Sequence, residues 1–369
     1  MPVIAYFVTP HGYGHAARAA AVMAALAELD AGTRFEIFTQ VPAWFFHDSL
    51  PGCEFGYHPL WTDVGMVQKT TLVEDVPATV RRLGEFLPFD PSLLQQLAGQ
   101  LSELACQLVV CDIAPLGIAA AGQAGIPSLL VENFTWDWIY QAYAGEDARL
   151  EVFAGYLAQV FDSAGYLAQA EPVCRPRPAR LTASPASRKP RTPPHLVRQR
   201  LGIPPDARVV LMTMGGIPWQ YTGLEGLGDQ SSVYFVVPGA ADVPAVSGSQ
   251  PANLVLLPRH SEFFHPDLVH ASDAVIGKAG YSTLAEVYWA GVPFGYIARP
   301  RFPESQALVA YIRQLMPGLA VDAAQFEDGS WLSRLAELLA MPPVARTGPN
   351  GAAQIAGFIA ARLASPFPH

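Results

Sequence analysis

The segment at residues 277–283 combines residue types that suit the binding of a diphosphate. A short apolar strand at residues 274–276 leads into the glycine turn Gly277-Lys278-Ala279-Gly280, after which Ser282 and Thr283 open a helix. Backbone N–H groups at a helix start attract phosphate oxygens, glycine lets the backbone approach them, and Lys278 adds positive charge. The pattern predicts a phosphate-binding turn. The same elements also occur in α/β units without a ligand, so that interpretation stays open.

Side chains with carboxylate and amide groups come after this turn in the sequence. Glu286 is expected in the first turn of the new helix, where it could accept hydrogen bonds from the two vicinal hydroxyls of a ribose. A further apolar strand at residues 293–298 ends shortly before Glu304 and Gln306. The segment therefore offers partners for a nucleoside as well as for phosphate.

A second group of reactive residues lies near the start of the chain. The glycine loop at residues 10–14 follows an apolar strand, and His15 begins an alanine-rich helix. A helix N-terminus disfavours the protonated imidazole, so His15 could accept a proton. Asp112 ends another apolar strand and could orient the ring and stabilise the cation. A histidine in a glycine loop is more often structural, so both interpretations stay open.

The elements around these residues alternate between strand and helix, which predicts α/β architecture with parallel sheets. Two sets of five strands are expected, each with the order 3-2-1-4-5. The first set lies at residues 3–8, 35–39, 53–59, 108–111 and 128–131, and the second at residues 208–214, 233–237, 254–257, 274–276 and 293–298. The predicted helices lie at residues 15–29, 81–106, 116–124, 332–339 and 352–363, with the helical segment at residues 81–106 broken near Pro88 and Pro91. A functional loop is expected at residues 61–80.

The chain is expected to form two Rossmann-like domains whose sheets face each other across a cleft. Residues 1–175 would form the first domain, residues 176–195 a proline-rich basic linker, and residues 196–345 the second domain. The helix at residues 351–364 would pack back on the first domain. Since ligands of open parallel sheets bind at the carboxyl ends of the strands, both groups of reactive residues would line the cleft.

Composition narrows the functional classes. The net charge of -9 argues against a nucleic-acid-binding protein. The four cysteines show no paired spacing, which predicts reduced thiols and a cytoplasmic protein. The uncharged run at residues 113–131 is broken by proline and glycine, so no transmembrane segment is expected, while peripheral membrane contact stays open. No Asp-x-Asp pair follows a strand, so no metal site is predicted.

A dinucleotide fingerprint is an alternative for the glycine loop. Gly12, Gly14 and Ala17 fit the pattern G-x-G-x-x-G/A after a strand. That fingerprint expects an acidic residue at the end of the second strand, where this chain has Thr39 and Gln40. The NAD interpretation is therefore weak, and it leaves the turn at residues 277–280 unexplained.

Three segments together resemble the nucleotide-sugar glycosyltransferases of GT-B fold, in particular the glycosyltransferase-like N-terminal region of L-arabinokinases. The three segments are Val8-Thr9-Pro10-His11-Gly12-Tyr13-Gly14-His15-Ala16-Ala17-Arg18, Leu108–Asp112 with Glu132-Asn133-Phe134-Thr135-Trp136-Asp137-Trp138-Ile139-Tyr140, and Ser272–Thr283. The resemblance spans roughly residues 3–315. The chain shows no kinase segment, so kinase activity is not carried over.

The resemblance implies a role for each candidate site residue. It places the donor diphosphate against Gly215, Gly216, Lys278, Gly280, Tyr281, Ser282 and Thr283. It places the ribose on Glu286, the base near Arg259 and His260, and the donor sugar on Glu304 and Gln306. It makes His15 the catalytic base and Asp112 its support, and it places the acceptor in the first domain with Asn133, Trp136 and Trp138 at its rim. A core position for these aromatic residues stays open as the alternative. His11 and Gly14 are further predicted substrate-binding residues.

The expected activity is inverting, metal-independent transfer of a sugar from a nucleotide diphosphate, with UDP as the expected nucleotide, to a hydroxyl acceptor. No cofactor is expected beyond the nucleotide sugar as co-substrate. Two alternatives stay open. A non-catalytic sugar-nucleotide-binding protein would bind the donor without turnover, and a sugar-nucleotide epimerase of the same fold would change the donor with no acceptor present.

Overall fold

The computed structural model describes residues 1–215, 224–242 and 251–364. Strands and helices alternate along most of this part of the chain. The strands are β1 (Val3–Val8), β2 (Arg34–Thr39), β3 (Phe55–Pro59), β4 (Gln68–Thr70), β5 (Val73–Glu74), β6 (Leu108–Asp112), β7 (Ser128–Glu132), β8 (Tyr166–Ala170), β9 (Leu181–Ala183), β10 (Arg208–Thr213), β11 (Val233–Pro238), β12 (Leu254–Leu257), β13 (Ala274–Lys278), β14 (Phe294–Ile297) and β15 (Gly318–Ala320).

The helices fall between these strands. They are α1 (Tyr13–Leu29), α2 (Ala43–Ser49), α3 (Val76–Phe86), α4 (Pro91–Glu103), α5 (Pro115–Ala124), α6 (Trp136–Ala142), α7 (Arg149–Asp162), α8 (Pro194–Arg200), α9 (His265–His270), α10 (Tyr281–Ala290), α11 (Glu304–Leu315), α12 (Ala323–Asp328), α13 (Leu335–Ala340) and α14 (Gly351–Ala364). Short 3₁₀ helices lie at Leu224–Asp229 and Ser330–Arg334.

The described chain divides into two compact units. Unit 1 contains Met1–Arg188, Phe302–Ala307 and residues 349–364. Unit 2 contains Lys189–Arg301 and Leu308–Gly348, apart from the gaps noted above. Each unit has its own parallel sheet and its own hydrophobic core. Both halves are therefore Rossmann-like, as the alternation of strands and helices predicts.

Unit 1 is built on a parallel sheet with the strand order β3-β2-β1-β6-β7-β8-β9. Its first five strands have the predicted order 3-2-1-4-5. Strand β1 is apolar or aromatic at every position and buried from Ile4 to Val8, which is typical of a parallel strand covered on both faces. In the register between β1 and β6, Val8 pairs with Asp112. The residues that follow β1 therefore lie beside the end of β6.

Helix α14 belongs to unit 1, where it packs against α1 and strand β9. Its buried face is made of Ala352, Ile355, Ala356 and Ile359. At its first residue, a Cβ on Gly351 would lie 1.8 Å from the backbone oxygen of Ser184, so only glycine fits there.

Two segments of unit 1 differ from the sequence expectations. Residues 61–80 contain the antiparallel pair β4–β5 and the start of α3, because Asp75 caps that helix by accepting a hydrogen bond from the Ala78 N–H. Residues 176–188, expected in a linker, contain β9, which pairs with β8 at the edge of the sheet. The backbone of β9 exchanges hydrogen bonds to water for hydrogen bonds to β8. The proline-rich sequence around β9 gives no strand pattern from which this pairing could be predicted.

Unit 2 repeats the arrangement with the strand order β12-β11-β10-β13-β14-β15. The first five strands again show the predicted order. The core is formed by apolar residues of the sheet and of helices α9, α10 and α11, among them Leu211, Val275, Leu284, Phe294 and Leu308. The carboxyl ends of β10 and β13 are neighbours, since Thr213 pairs with Gly277.

Some helices near the candidate residues were not expected from the sequence. Helix α6 is 7 residues long, so its buried Trp136, Ile139 and Tyr140 show helical spacing over a single turn only. Helix α11 could have been predicted, since Pro303 and Glu304 are typical helix-start residues. The expected helix at residues 332–339 is a 3₁₀ turn followed by α13.

None of the helices in the described ranges is both long enough and apolar enough to cross a membrane. The cysteines Cys53, Cys106, Cys111 and Cys174 are free thiols.

Candidate functional site

The candidate base and its carboxylate are in direct contact in unit 1. Helix α1 begins after Gly12, whose φ of 74° suits glycine, and His15 lies in the first turn of the helix. Asp112 is the last residue of β6. The His15 Nδ1 atom lies 2.9 Å from Asp112 Oδ1, as the neighbouring strand ends predict. His15 is 8 % exposed and Asp112 is completely buried.

Arg18 completes this group one helical turn after His15. Its guanidinium makes a two-pronged contact with Asp112, with Nε 2.8 Å from Oδ2 and Nη2 2.7 Å from Oδ1. Arg18 is completely buried. Burial by itself would raise the pKa of Asp112, but the charge and hydrogen bonds of Arg18, with the hydrogen bond of His15, outweigh it and lower that pKa. Asp112 is therefore a buried carboxylate at neutral pH.

The partners of His15 determine which ring nitrogen carries the proton. An ionised carboxylate only accepts hydrogen bonds, so we assign the proton of the neutral ring to Nδ1, which donates to Asp112. Arg18 Nη2 lies 3.2 Å from the same nitrogen and is also a donor, so that contact would favour a lone pair on Nδ1; the shorter 2.9 Å contact with the carboxylate, which can only accept, decides the assignment. The Nε2 atom is then the ring nitrogen that can accept a proton.

The polar contacts continue from Arg18 to the first turn of α11. Arg18 Nη1 donates to Asn133 Oδ1 at 2.7 Å, and Asn133 Nδ2 donates to Glu304 Oε1 at 2.8 Å. All of these residues belong to unit 1, and Asn133 and Glu304 are 0 % and 6 % exposed. The structure thus joins the His15–Asp112 pair to Glu304 through buried side chains.

A further buried carboxyl group lies near this chain of contacts. Asp63 follows β3 in a connecting segment, and Thr9 Oγ1 donates to its Oδ1 at 2.8 Å. Burial raises the pKa of Asp63 to about 7, and the charge of Asp112 adds to the rise. The Thr9 hydroxyl opposes that rise. The Trp136 indole opposes the rise as well, although its Nε1 makes no hydrogen bond of normal geometry within the described residues.

Of the two positions left open for Trp136, the rim of an acceptor site and the core, the structure shows the core. Its side chain is completely buried, with ring centroids 5.1 Å from His11 in a T-shaped contact and 5.9 Å from Tyr140 in a stacked contact. A large aromatic ring gains more by full burial among other rings than by a half-exposed position. Asn133 is also completely buried and lies among Arg18 and Glu304, so neither residue forms a rim. His11 and Gly14 are partly buried in the glycine loop.

In unit 2, the predicted phosphate turn has the expected local shape. Gly280 is the N-cap residue of α10, and no side chain caps this helix start, whose first turn contains Tyr281, Ser282 and Thr283. Lys278 ends β13, and its Nζ lies 3.8 Å from the position of a Cβ on Gly215, whose φ is 74°. The backbone after β10 therefore passes close to the Lys278 ammonium.

Glu286 lies in the second turn of α10, not in the first turn as expected, because the helix begins at Tyr281. Its carboxylate is buried, and its Oε2 atom lies 2.7 Å from His265 Nδ1 in α9. The ring of His265 therefore helps to hold the side chain that is expected to contact a ribose.

The remaining predicted residues are more scattered. Arg259 and His260 are exposed after β12, where the Arg259 N–H donates to Asp242 Oδ2 at 2.6 Å. Gln306 is exposed in the first turn of α11. Gly216 lies outside the described residues. Over the described ranges, no cluster of three or more His, Cys, Asp and Glu side chains is placed to hold a metal ion.

Three residues in these contacts, Arg18, Asp63 and His265, were not predicted from the sequence. Arg18 follows His15 by three residues, so their common helix face was a usable signal. Asp63 and His265 gave no such signal, because their partners lie far away along the chain: 54 residues separate Thr9 from Asp63 and 21 separate His265 from Glu286.

Comparisons with known proteins give one sequence relative and a set of structural neighbours. No family model matches the chain. An L-arabinokinase of Arabidopsis thaliana is 28% identical over 356 residues, which are 95% of this chain and 33% of that protein. The chain thus spans about a third of the length of this curated relative.

Solved structures of other proteins match the fold of this chain over nearly its full length. CalG4, the calicheamicin glycosyltransferase, has a TM-score of 0.66 at 17% identity, with 100% of both chains covered. Medicago truncatula UGT71G1, complexed with UDP-glucose, has 0.61 at 14% identity, covering 99% of this chain and 95% of that one. Acinetobacter baumannii MurG has 0.55 at 16% identity, covering 98% and 100%. The chain therefore has the GT-B glycosyltransferase fold, and the resemblance seen in the sequence is confirmed at the level of the fold.

Proposed function

We propose that this chain, whose fold is that of the GT-B glycosyltransferases, is an inverting, metal-independent glycosyltransferase. The observation that carries the proposal is the 2.9 Å contact between His15 Nδ1 and Asp112 Oδ1, which leaves His15 Nε2 to act as a base. The turn at residues 277–283 supplies the second requirement, a place for a diphosphate. UDP is the proposed nucleotide, in keeping with the UDP-glucose complex of a structural neighbour.

The proposed reaction is a single displacement at the anomeric carbon of the donor sugar. His15 Nε2 takes the proton of the acceptor hydroxyl while the acceptor oxygen forms a bond to that carbon. The bond between the carbon and the nucleotide diphosphate breaks on the opposite face, which inverts the configuration. Asp112 stabilises the imidazolium that forms, as a carboxylate does in a catalytic triad.

The leaving diphosphate would be stabilised by groups of unit 2. The uncapped N-terminus of α10 offers backbone N–H groups and the positive end of the helix dipole, and Lys278 adds a full charge. Such preorganised donors can stabilise the departing charge without a metal ion. Glu286, held by His265, is the proposed partner of the ribose hydroxyls.

A screen of nucleotides and nucleotide sugars by thermal shift tests donor binding first. A ligand present at 100 times its dissociation constant should stabilise the protein by about 2.7 kcal/mol. UDP and one or more UDP-sugars are expected to raise the melting temperature, and NAD is not. Turnover of the donor with a hydroxyl acceptor then separates a transferase from a binding protein. Conversion of the donor without any acceptor would identify an epimerase.

Replacing Glu286 with alanine is expected to weaken UDP binding by roughly 1–3 kcal/mol, because charge-assisted hydrogen bonds to the ribose are lost. Calorimetry with UDP and with the 2′,3′-dideoxy analogue makes the test specific. The variant and the wild type should bind the analogue equally, since it offers no hydroxyl to Glu286.

The matched control for this variant is Glu337→Ala, which removes an exposed carboxylate of unit 2 that pairs with Arg334. It should leave UDP affinity unchanged. An unchanged affinity for UDP in folded Glu286→Ala would remove Glu286 from the ribose role.

A further inference from the structure

We infer that Arg18 is a positioning residue that keeps His15 in its neutral, proton-accepting form. In this arrangement the guanidinium, and not a protonated imidazole, is the counter-cation of the buried Asp112 carboxylate. The consequence for catalysis rests on the proposed function, while the protonation of His15 can be measured without it.

The geometry gives Asp112 three N–H partners from two side chains. Arg18 occupies both carboxylate oxygens through Nε and Nη2, and His15 Nδ1 shares Oδ1 with Arg18 Nη2. All three side chains are buried, and Asp112 and Arg18 are completely inaccessible. A carboxylate without contact to water requires a cation beside it.

Of the two cationic partners that contact Asp112 in the described structure, only Arg18 has a permanent charge. A guanidinium does not lose its proton in proteins, so the Arg18–Asp112 pair is neutral whatever His15 does. A second proton on His15 would place a second cation 3.2 Å from Arg18 Nη2. The arrangement therefore favours the neutral ring.

Without Arg18, the protonated form of His15 would be favoured over the neutral form. The carboxylate would remain buried, and His15 would be its remaining cationic contact. His15 would then take the second proton at Nε2, the position that must be empty to accept a proton from an acceptor hydroxyl. A residue that never touches the substrate would in this way control whether the base is available.

Other ionisable groups face this cluster from neighbouring elements. They are Tyr6 on β1, Cys111 on β6, Glu132 on β7, Asp63 in the segment after β3, Cys174 after β8, and Glu304 on α11. Burial raises the pKa values of Tyr6 and Cys111 well above their ordinary values, so both are neutral near pH 7. Asp63 does titrate near pH 7, so its contribution has to be separated in the experiment.

The experiment follows the His15 ring in the full-length protein by long-range ¹H–¹⁵N correlation between pH 5 and pH 9. The signal is assigned by its loss in His15→Gln. In the wild type, the neutral ring should carry its proton on Nδ1 at pH 7. In Arg18→Gln, which keeps donors but removes the charge, the midpoint of protonation should move up by at least about one pH unit.

Three further variants make the result specific. Arg18→Lys keeps the charge and should stay within about half a pH unit of the wild type. Arg18→Gln combined with Asp112→Asn removes the carboxylate as well, and its midpoint should fall back towards the wild-type value. The same shift should appear when Arg18→Gln is made in an Asp63→Asn background, which excludes the titration of Asp63 as its cause.

An unchanged His15 titration in folded Arg18→Gln would overturn the inference. Arg18→Met serves as a second uncharged variant if Arg18→Gln does not fold. If both uncharged variants unfold while Arg18→Lys folds, Arg18 acts on stability alone and the inference also fails.

The rate profile tests the catalytic consequence separately. A one-unit shift makes the neutral ring about tenfold rarer at each pH below the midpoint, so the acid limb of donor turnover should move up by the same amount in Arg18→Gln. A shifted titration with no turnover in any protein, the wild type included, would reject the proposed function and leave the inference on Arg18 intact. Normal turnover with an unshifted His15 titration in Arg18→Gln would reject the inference on Arg18 and leave the proposed function intact.

Discussion

Replacing His15 with alanine is expected to cut glycosyl transfer by about 10²–10⁴-fold, the usual share of a positioned general base. The His15 ring contacts Asp112 through Nδ1, and its second nitrogen, Nε2, can accept a proton. UDP affinity should stay nearly unchanged, because the proposed nucleotide site lies on residues 277–286 of unit 2. The measurements are steady-state transfer rates and UDP affinity by calorimetry.

The control for this prediction is His195→Ala, which removes an exposed histidine of α8 and should leave the transfer rate unchanged. Transfer to a hydroxyl acceptor is the decisive assay, since donor hydrolysis by water depends less on a base. If the wild type is active and His15→Ala is equally active, His15 is a loop histidine and the proposed mechanism is wrong.

Replacing Asp63 with asparagine is expected to stabilise the protein above neutral pH by up to about 4 kcal/mol. The pKa of Asp63 rises from its ordinary 3.8 to about 7 on folding because the carboxyl group is buried. The folded state then binds more protons than the unfolded state between these values, so the wild type loses stability as the pH rises from about 4 to 7. Asparagine keeps an oxygen for the Thr9 hydroxyl and carries no charge.

Urea unfolding of both proteins at pH 5, 6, 7 and 8 measures this effect as a difference in unfolding free energy. The advantage of Asp63→Asn should grow from pH 5 to pH 7 and then level off. Asp90→Asn is the control, because hydrogen bonds from Ser92 lower the pKa of Asp90 below 3.8 and its difference should be flat over this range. A flat difference for Asp63→Asn as well would show that Asp63 is ionised without penalty in the folded protein.

The strand order and the contact between His15 and Asp112 could be predicted because they follow from short-range patterns. Apolar runs mark the buried strands, and alternation with helices requires parallel pairing. Once β1 and β6 are neighbours, the residues after β1 must lie beside the end of β6. The glycine turn between β13 and α10 could be predicted for a similar reason, since a turn between a strand and a helix has local geometry.

Helix boundaries and exposure were harder to predict. Glu286 lies in the second turn of α10 because the helix begins at Tyr281, one residue before Ser282. The sequence left Trp136 open between the rim of a site and the core, and the structure shows it completely buried. A sequence reports residue type, while burial depends on what the rest of the chain places around the side chain.

The sequence by itself determined the α/β architecture, the two glycine-turn motifs, and the meeting of His15 with Asp112. Only the tertiary structure decided how that pair is charged and supported. Arg18 reaches Asp112 across 94 residues and Asn133 across 115, and Asn133 reaches Glu304 across 171. Periodicity cannot specify such contacts, because they arise when packed elements exclude water and each buried charge must find its partner.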